Sequence, residues 1–199
     1  MKRITLFFVC LIGPLLIFGC NPYYINPKGP GPTPTPTPLK VKRMFVTSLT
    51  FAPNFGGLVG GDAICSARAA AATLQGNWVA FLSTSTVNAI SRIPNAHWVR
   101  LDGKTVFNST SDIANELAPL ATLNLNEFGQ LQTYQSVWTG SAPGGLINTL
   151  GYTCQDWTSA ATNDLGIMGQ DDSNNNQYWL DASNNNCSFY NHCLYCFEK

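Results

Sequence analysis

Five of the seven cysteines (Cys65, Cys154, Cys187, Cys193 and Cys196), two histidines (His97 and His192) and the acidic residues Asp171, Asp172 and Asp181 are the groups that could cross-link, hold a metal or move a proton. Nucleophilic catalysis needs a base within reach of its nucleophile. His97 stands in an apolar strand-like stretch, and His192 is adjacent to Cys193, where successive strand side chains point to opposite faces. Neither makes a Cys-His or Ser-His pair, so no enzyme is expected. The glycines Gly56, Gly57, Gly60 and Gly61 are followed by Asp62 rather than by a lysine, which repels phosphate. For zinc, His192, Cys193 and Cys196 offer one Cys-x2-Cys spacing and nothing that completes four ligands. The run Asp172-x-Asn174-x-Asn176 opens like a calcium loop, but Gln177 stands where the turn glycine belongs and Ser183 where the bidentate Glu belongs. No cofactor is expected, and a structural calcium through Asp171, Asp172 and Asp181 is left open.

The elements that must position these residues begin after an export segment. Residues 1–19 have the layout of a signal peptide: Lys2 and Arg3, an apolar run from Ile4 to Phe18, then a small residue before a cysteine. Interrupted by Pro14, that run is shorter than the roughly 20 residues of a spanning helix. Ile17-Phe18-Gly19-Cys20 resembles a bacterial lipobox, so Cys20 is expected to carry lipid. More than one acyl chain, at about 0.8 kcal/mol per buried methylene, makes such an anchor stable. Residues 20–42 read as the lipidated cysteine and a stalk: seven of the twelve prolines fall between 21 and 40, and nothing there has an apolar face to bury. In polyproline II form, at about 3.1 Å per residue, this spacer reaches roughly 60 Å. The expected location is the outer membrane, lipid-anchored and facing the exterior. An oxidising compartment favours disulfides, and five cysteines leave at least one thiol free or paired with another molecule.

Residues 43–199 are long enough for one domain with its own core, and all five tryptophans (78, 98, 138, 157 and 179) lie within it. From Val41 onward there are 7 Lys/Arg against 11 Asp/Glu, and from Thr105 onward 1 against 9. That balance excludes a nucleic-acid surface. Arg68, Arg92, Arg100 and Lys104 are too few and too spread for heparin; the acidic half instead favours a basic partner surface, with salt-sensitive association.

Periodicity predicts a strand at Met44 to Leu49, a Gly-rich turn, and a helix from Asp62 to Leu74 with Asp62 at its N-terminus. Strands follow at 77–83 and His97 to Leu101, with a short helix at Val87 to Arg92 between them. Ser111-Asp112 opens a second helix that ends before Pro119. Beyond Glu127 helical periodicity disappears, and short strands at 137–139, 177–180 and 193–197 alternate with Asn/Gly/Ser loops. Ser-Asn-Asn-Asn at 173–176 and again at 183–186 reads as two Asx-type turns. Early helices and late strands make an α+β domain.

The segments Met44-Phe-Val-Thr-Ser, Gly56-Gly-Leu-Val-Gly-Gly-Asp-Ala-Ile-Cys65, Trp78-Val-Ala-Phe-Leu-Ser83, Val137-Trp-Thr-Gly140, Cys154-Gln-Asp-Trp-Thr158 and Leu194-Tyr-Cys-Phe-Glu198 resemble, in family order, the domain of the leptospiral endostatin-like surface lipoproteins. The resemblance implies a C-type-lectin-like, endostatin-like fold with two helices, a small mixed or antiparallel sheet and a long-loop region. It also implies disulfides Cys65–Cys196 and Cys154–Cys187, with Cys193 unpaired, and core roles for Trp78 and Trp138. The function implied is binding of host extracellular-matrix proteins such as laminin and fibronectin, or of complement factor H or plasminogen, in adhesion and immune evasion. Tyr152, Trp157 and Tyr178 are the candidate loop anchors. Calcium lectins of this fold use Glu-Pro-Asn or Gln-Pro-Asp with Trp-Asn-Asp; here Ala142-Pro143-Gly144 and Trp179-Leu180-Asp181 lack most of the oxygen ligands. The competing readings are an envelope structural protein and a calcium-independent carbohydrate-binding lectin.

Overall fold

Five consecutive buried residues, Cys193 to Phe197, form the centre of the molecule. In the computed structural model, which describes residues 37–175 and 178–199, they belong to the last strand of an eight-stranded mixed sheet. The expected signal peptide, Cys20 and nearly all of the stalk lie outside the described residues. No helix among the described residues is long and apolar enough to cross a membrane.

The strands are β1 (Val41–Val46), β2 (Trp78–Ala80), β3 (His97–Arg100), β4 (Thr105–Phe107), β5 (Ser136–Trp138), β6 (Ser141–Ala142), β7 (Leu146–Ile147), β8 (Leu165–Gln170), β9 (Ser183–Asn186) and β10 (Cys193–Glu198). Across the main sheet the order is β4-β3-β1-β10-β5-β8-β9, with β2 also paired to β10; β6 and β7 pair separately. The β1–β3 and β10–β5 pairs are parallel and the others antiparallel. The fold is therefore α+β, and at eight strands its sheet is larger than the small one expected. Val41 and Lys42, assigned from sequence to the end of the stalk, are already paired with His97 and Trp98.

Strand alternation sends side chains to two cores. On one face Met44, Val46, Phe81, Trp98, Phe107, Trp179, Tyr195 and Phe197 pack under the 3-10 turn Ala89–Arg92 and helix α2 (Thr110–Ala114). On the other, Phe45, Trp78, Trp138, Trp157, Leu194 and four cysteines pack under helix α1 (Gly57–Ala71). Trp78 is 3% exposed and Trp138 fully buried, both core residues.

Helix α1 begins five residues before its expected start, because the glycines are part of it. A side chain at Gly60 would place its Cβ 1.7 Å from the Phe55 carbonyl oxygen, and one at Gly61 would press to 2.9 Å from Leu82. The bare backbone lets the helix lie on β2. Asp62 is thus inside the helix rather than at its end. Its carboxylate accepts from the Ala80 N–H (2.9 Å) and both its oxygens accept from Arg92 (2.7 Å). Helix α2 starts at Thr110, where Asp112 accepts from the N–H groups of Asn108 and Ser109.

Three expected details are corrected. Tyr178 to Leu180 form a turn, not a strand. Asn184 to Asn186 are strand β9, not an Asx turn, because β8 supplies a four-residue ladder partner. The expected helix at 87–92 is only a 3-10 turn.

Candidate binding surface

The segment Cys154-Gln-Asp-Trp157 forms a single helical turn, α3, and it is left-handed: φ is 50°, 55°, 54° and 68° at its four residues, none of them glycine. Left-handed helix costs about 1–2 kcal/mol per L-residue, so the turn stores roughly 4 to 8 kcal/mol against its surroundings. What holds it can be named. Cys154 is bonded to Cys187, just beyond β9, with Cα atoms 5.8 Å apart. Trp157 is fully buried, stacks on Phe55 at 5.7 Å between centroids, and donates from Nε1 to the Ser83 carbonyl (2.8 Å). The Asp156 carboxylate accepts from Ser85 N–H (2.7 Å), Ser85 Oγ (2.6 Å) and Thr153 Oγ1 (3.0 Å). Burial alone would raise that carboxyl, but these hydrogen bonds outweigh it and hold its pKa below the usual value.

The turn therefore exposes Gln155 and Thr158 on a rigid base, with the Gln155 amide donating to Asp164 (3.1 Å). Of the three candidate anchors, Tyr152 is half-buried beside this turn and Tyr178 is 49% exposed on the β8–β9 connection. Trp157 is not an anchor. Its ring fills the space between Phe55, Trp138 and Gly140, where it is part of the core. Other exposed aromatics are Phe128 (50%), Tyr134 (70%), Phe189 (73%) and Tyr190 (49%). No periodic signal marks them, since each sits in a loop.

Cys65 is bonded to Cys196, joining α1 to β10, so both disulfides have the pairing that the resemblance implies. Cys193 is a free thiol, fully buried, and burial pushes its pKa up to about 12. A thiol so protonated is a poor nucleophile. His192 is also buried, 4.2 Å from the Trp138 ring and 2.8 Å from Asn185 Nδ2, and burial takes its pKa down to about 4.

Asp171 lies wholly inside. One carboxylate oxygen accepts from the Gln135 N–H (2.8 Å), the other has no partner, and burial raises its pKa to about 6. Asp172 and Asp181 are only half-buried, and among the described residues no three His, Cys, Asp or Glu side chains gather where a metal could be held. The arginines considered for heparin are each engaged internally: Arg68 with Glu127, Arg92 with Asp62, and Arg100 with Asp102.

Neither any family model nor any curated protein matches this chain.

Proposed function

We propose that this is a lipid-anchored, surface-displayed domain of the endostatin-like, C-type-lectin-like kind that binds host proteins. The ligand class is extracellular matrix, laminin or fibronectin, or the plasma proteins factor H and plasminogen. The observation that carries the reading is the double staple. Cys65–Cys196 and Cys154–Cys187 close separations of 131 and 33 residues around a core whose exposed loops carry aromatic side chains. That is the pairing the resemblance implies, and it suits a domain held outside the cell on a proline-rich spacer behind a lipobox-like Cys20.

Binding in this reading uses loops rather than a cleft, with the left-handed turn as a rigid base, Tyr152 next to it in sequence and Tyr178 at the Gln170 end of β8. Rigid aromatic anchors on loops lose little entropy on docking. The test is solid-phase binding of the lipid-free chain, Asn21 to Lys199 with disulfides formed, to laminin, fibronectin, factor H and plasminogen, with salt and EDTA titrations. Saturable binding that survives EDTA is expected. If no host protein binds the oxidised chain, the reading fails in favour of an envelope role. Binding confined to a glycan array points instead to the calcium-independent lectin. Protease accessibility on intact cells checks surface display.

A further inference from the structure

His192 is buried, yet one ring links it to the surface. Its imidazole lies 4.2 Å from the Trp138 ring, and Tyr190 stacks on it with centroids 6.0 Å apart and planes inclined by 17°. Tyr190 is itself 49% exposed. One face of its ring thus lies along His192 and the remainder is open to solvent.

The support of this column is rigid. His192 exchanges two backbone hydrogen bonds with Phe51 (2.8 and 3.1 Å), and Trp138 Nε1 donates to the Phe51 carbonyl (3.1 Å). The loop that carries Tyr190 is tied through Cys187 to Cys154, and Asn186 Oδ1 accepts from the N–H (2.9 Å) and hydroxyl (2.7 Å) of Ser188. A ring held in this way loses little side-chain entropy on docking.

The group beside the column is a neutral amide. Asn185, half-buried in β9, donates from Nδ2 to His192 Nε2 (2.8 Å) and so joins the same cluster. None of it is charged: the chain has no Lys, Arg, Asp or Glu from Ala182 to Phe197, and a pKa taken down to about 4 by burial leaves His192 uncharged at neutral pH.

An open aromatic plate with a neutral amide at its side matches the surface of a sugar. A pyranose ring presents C–H bonds that pack on a π-face and hydroxyls that both donate and accept, as an amide does. A cationic segment would need a carboxylate here and an anionic ligand a cation, and the cluster offers neither. Proline-rich segments dock in aromatic-lined grooves, whereas the described residues form no pocket.

We propose that Tyr190, backed by His192 and flanked by Asn185, is a binding platform for a neutral saccharide, held by stacking and hydroxyl hydrogen bonds without a cation. The site does not rest on the host-protein reading above.

The test is an NMR titration of the oxidised Asn21–Lys199 chain with the methyl glycosides of glucose, galactose, mannose and N-acetylglucosamine, with EDTA present throughout. At least one should bind saturably with a dissociation constant of about 1 mM, the scale of a few contacts on an open surface. Shifts are expected at Tyr190, His192 and Asn185, and saturation transfer should fall mainly on the C–H protons of one sugar face. Tyr190→Ser should weaken binding about tenfold, and Tyr190→Phe, which keeps the plate, should stay within about twofold. Tyr134→Ser, at the Gln170 end of β8, should change nothing. The unfolding midpoint of Tyr190→Ser separates lost binding from lost folding. Should that variant unfold, contacts between sugar C–H protons and the Tyr190 ring in the wild type decide instead. The proposal is overturned if none of these sugars binds, if shifts map elsewhere, or if a folded Tyr190→Ser binds as well as wild type. It is also overturned if a capped proline-rich or arginine-rich peptide takes Tyr190 more tightly than any sugar. Parallel assays on laminin, fibronectin, factor H and plasminogen keep the two readings apart. Sugar binding at Tyr190 without any host protein bound would support this site and sink the host-protein reading, and host proteins bound without sugar shifts would sink this site alone.

Discussion

The two faces of the sheet are built on different principles. One packs Trp98, Trp179, Phe107 and Phe197 under α2 without a covalent link, and its only cysteine, Cys193, is a free thiol. The other holds both disulfides, α1 and the left-handed turn. On the first face tilted and edge-on aromatic pairs, such as Trp98 against Phe197, pack on ordinary strand backbone. The second supports four consecutive non-glycine left-handed residues, and such a conformation persists only where its surroundings over-determine it. Two groups of opposite charge type are also buried without a counter-charge: Asp171, and His192 against Trp138. One of the two cross-links, Cys154–Cys187, begins within the strained turn, whereas Cys65–Cys196 joins an ordinary helix to an ordinary strand.

The largest expected effect is on the stapled face. Replacing Cys65 and Cys196 together by Ala should cost about 5 kcal/mol on the chain-entropy account for a separation of 131 residues, read from denaturant unfolding. Trp179→Ala, on the face without staples, should cost about 3 to 5 kcal/mol. A loss below 1 kcal/mol there would mean that aromatic packing does not carry that face.

A third experiment sets the two buried titratable groups against each other. The folded-state pKa of Asp171, about 6, lies above its ordinary 3.8, so its contribution is full below about pH 4 and is lost as pH rises to about 6. The folded-state pKa of His192, about 4, lies below its ordinary 6.5, so its contribution is full above about pH 6.5 and is lost as pH falls towards 4. Each amounts to about 3 kcal/mol, and the two offset one another across the same window. Asp171→Asn should therefore uncover a loss of stability on acidification from pH 6.5 to 4, and His192→Gln the opposite slope. Identical pH profiles for both variants would break the comparison. The smallest effect runs the other way. Gln155→Gly, at an exposed left-handed residue, should stabilise by about 1 kcal/mol, and a destabilisation would show that the turn is not strained at that position.

Much of the architecture was legible because alternation is local. The alternation at Met44 and the short apolar runs at Trp78, His97 and Cys193 are signals carried within a few residues, and the structure places a strand at every one. Strand β8 was illegible. Its Gly166 and Gly169 are there because a side chain would meet Trp138 at 2.7 Å and the Trp179 carbonyl oxygen at 1.9 Å, so close approach replaces the β-branched signature of a strand. Strand β9 was illegible for a related reason, since an asparagine run pairs here only because β8 lies beside it. Of the candidate anchors, each of which the sequence leaves open between a core and an exposed role, Tyr178 is exposed and Trp157 is buried. Burial of a loop aromatic depends on what folds over it.

By itself the sequence determined the α+β class, the position of β10 and the excess of acid in the second half. These follow from composition and from patterns that repeat within a few residues. Only the tertiary structure decided the hand of the turn at Cys154, the inward placement of Trp157 and Asp171, and the pairing of the asparagine-rich β9 with β8. Each depends on contacts between residues distant in the chain, and no local propensity encodes which segments will be brought together.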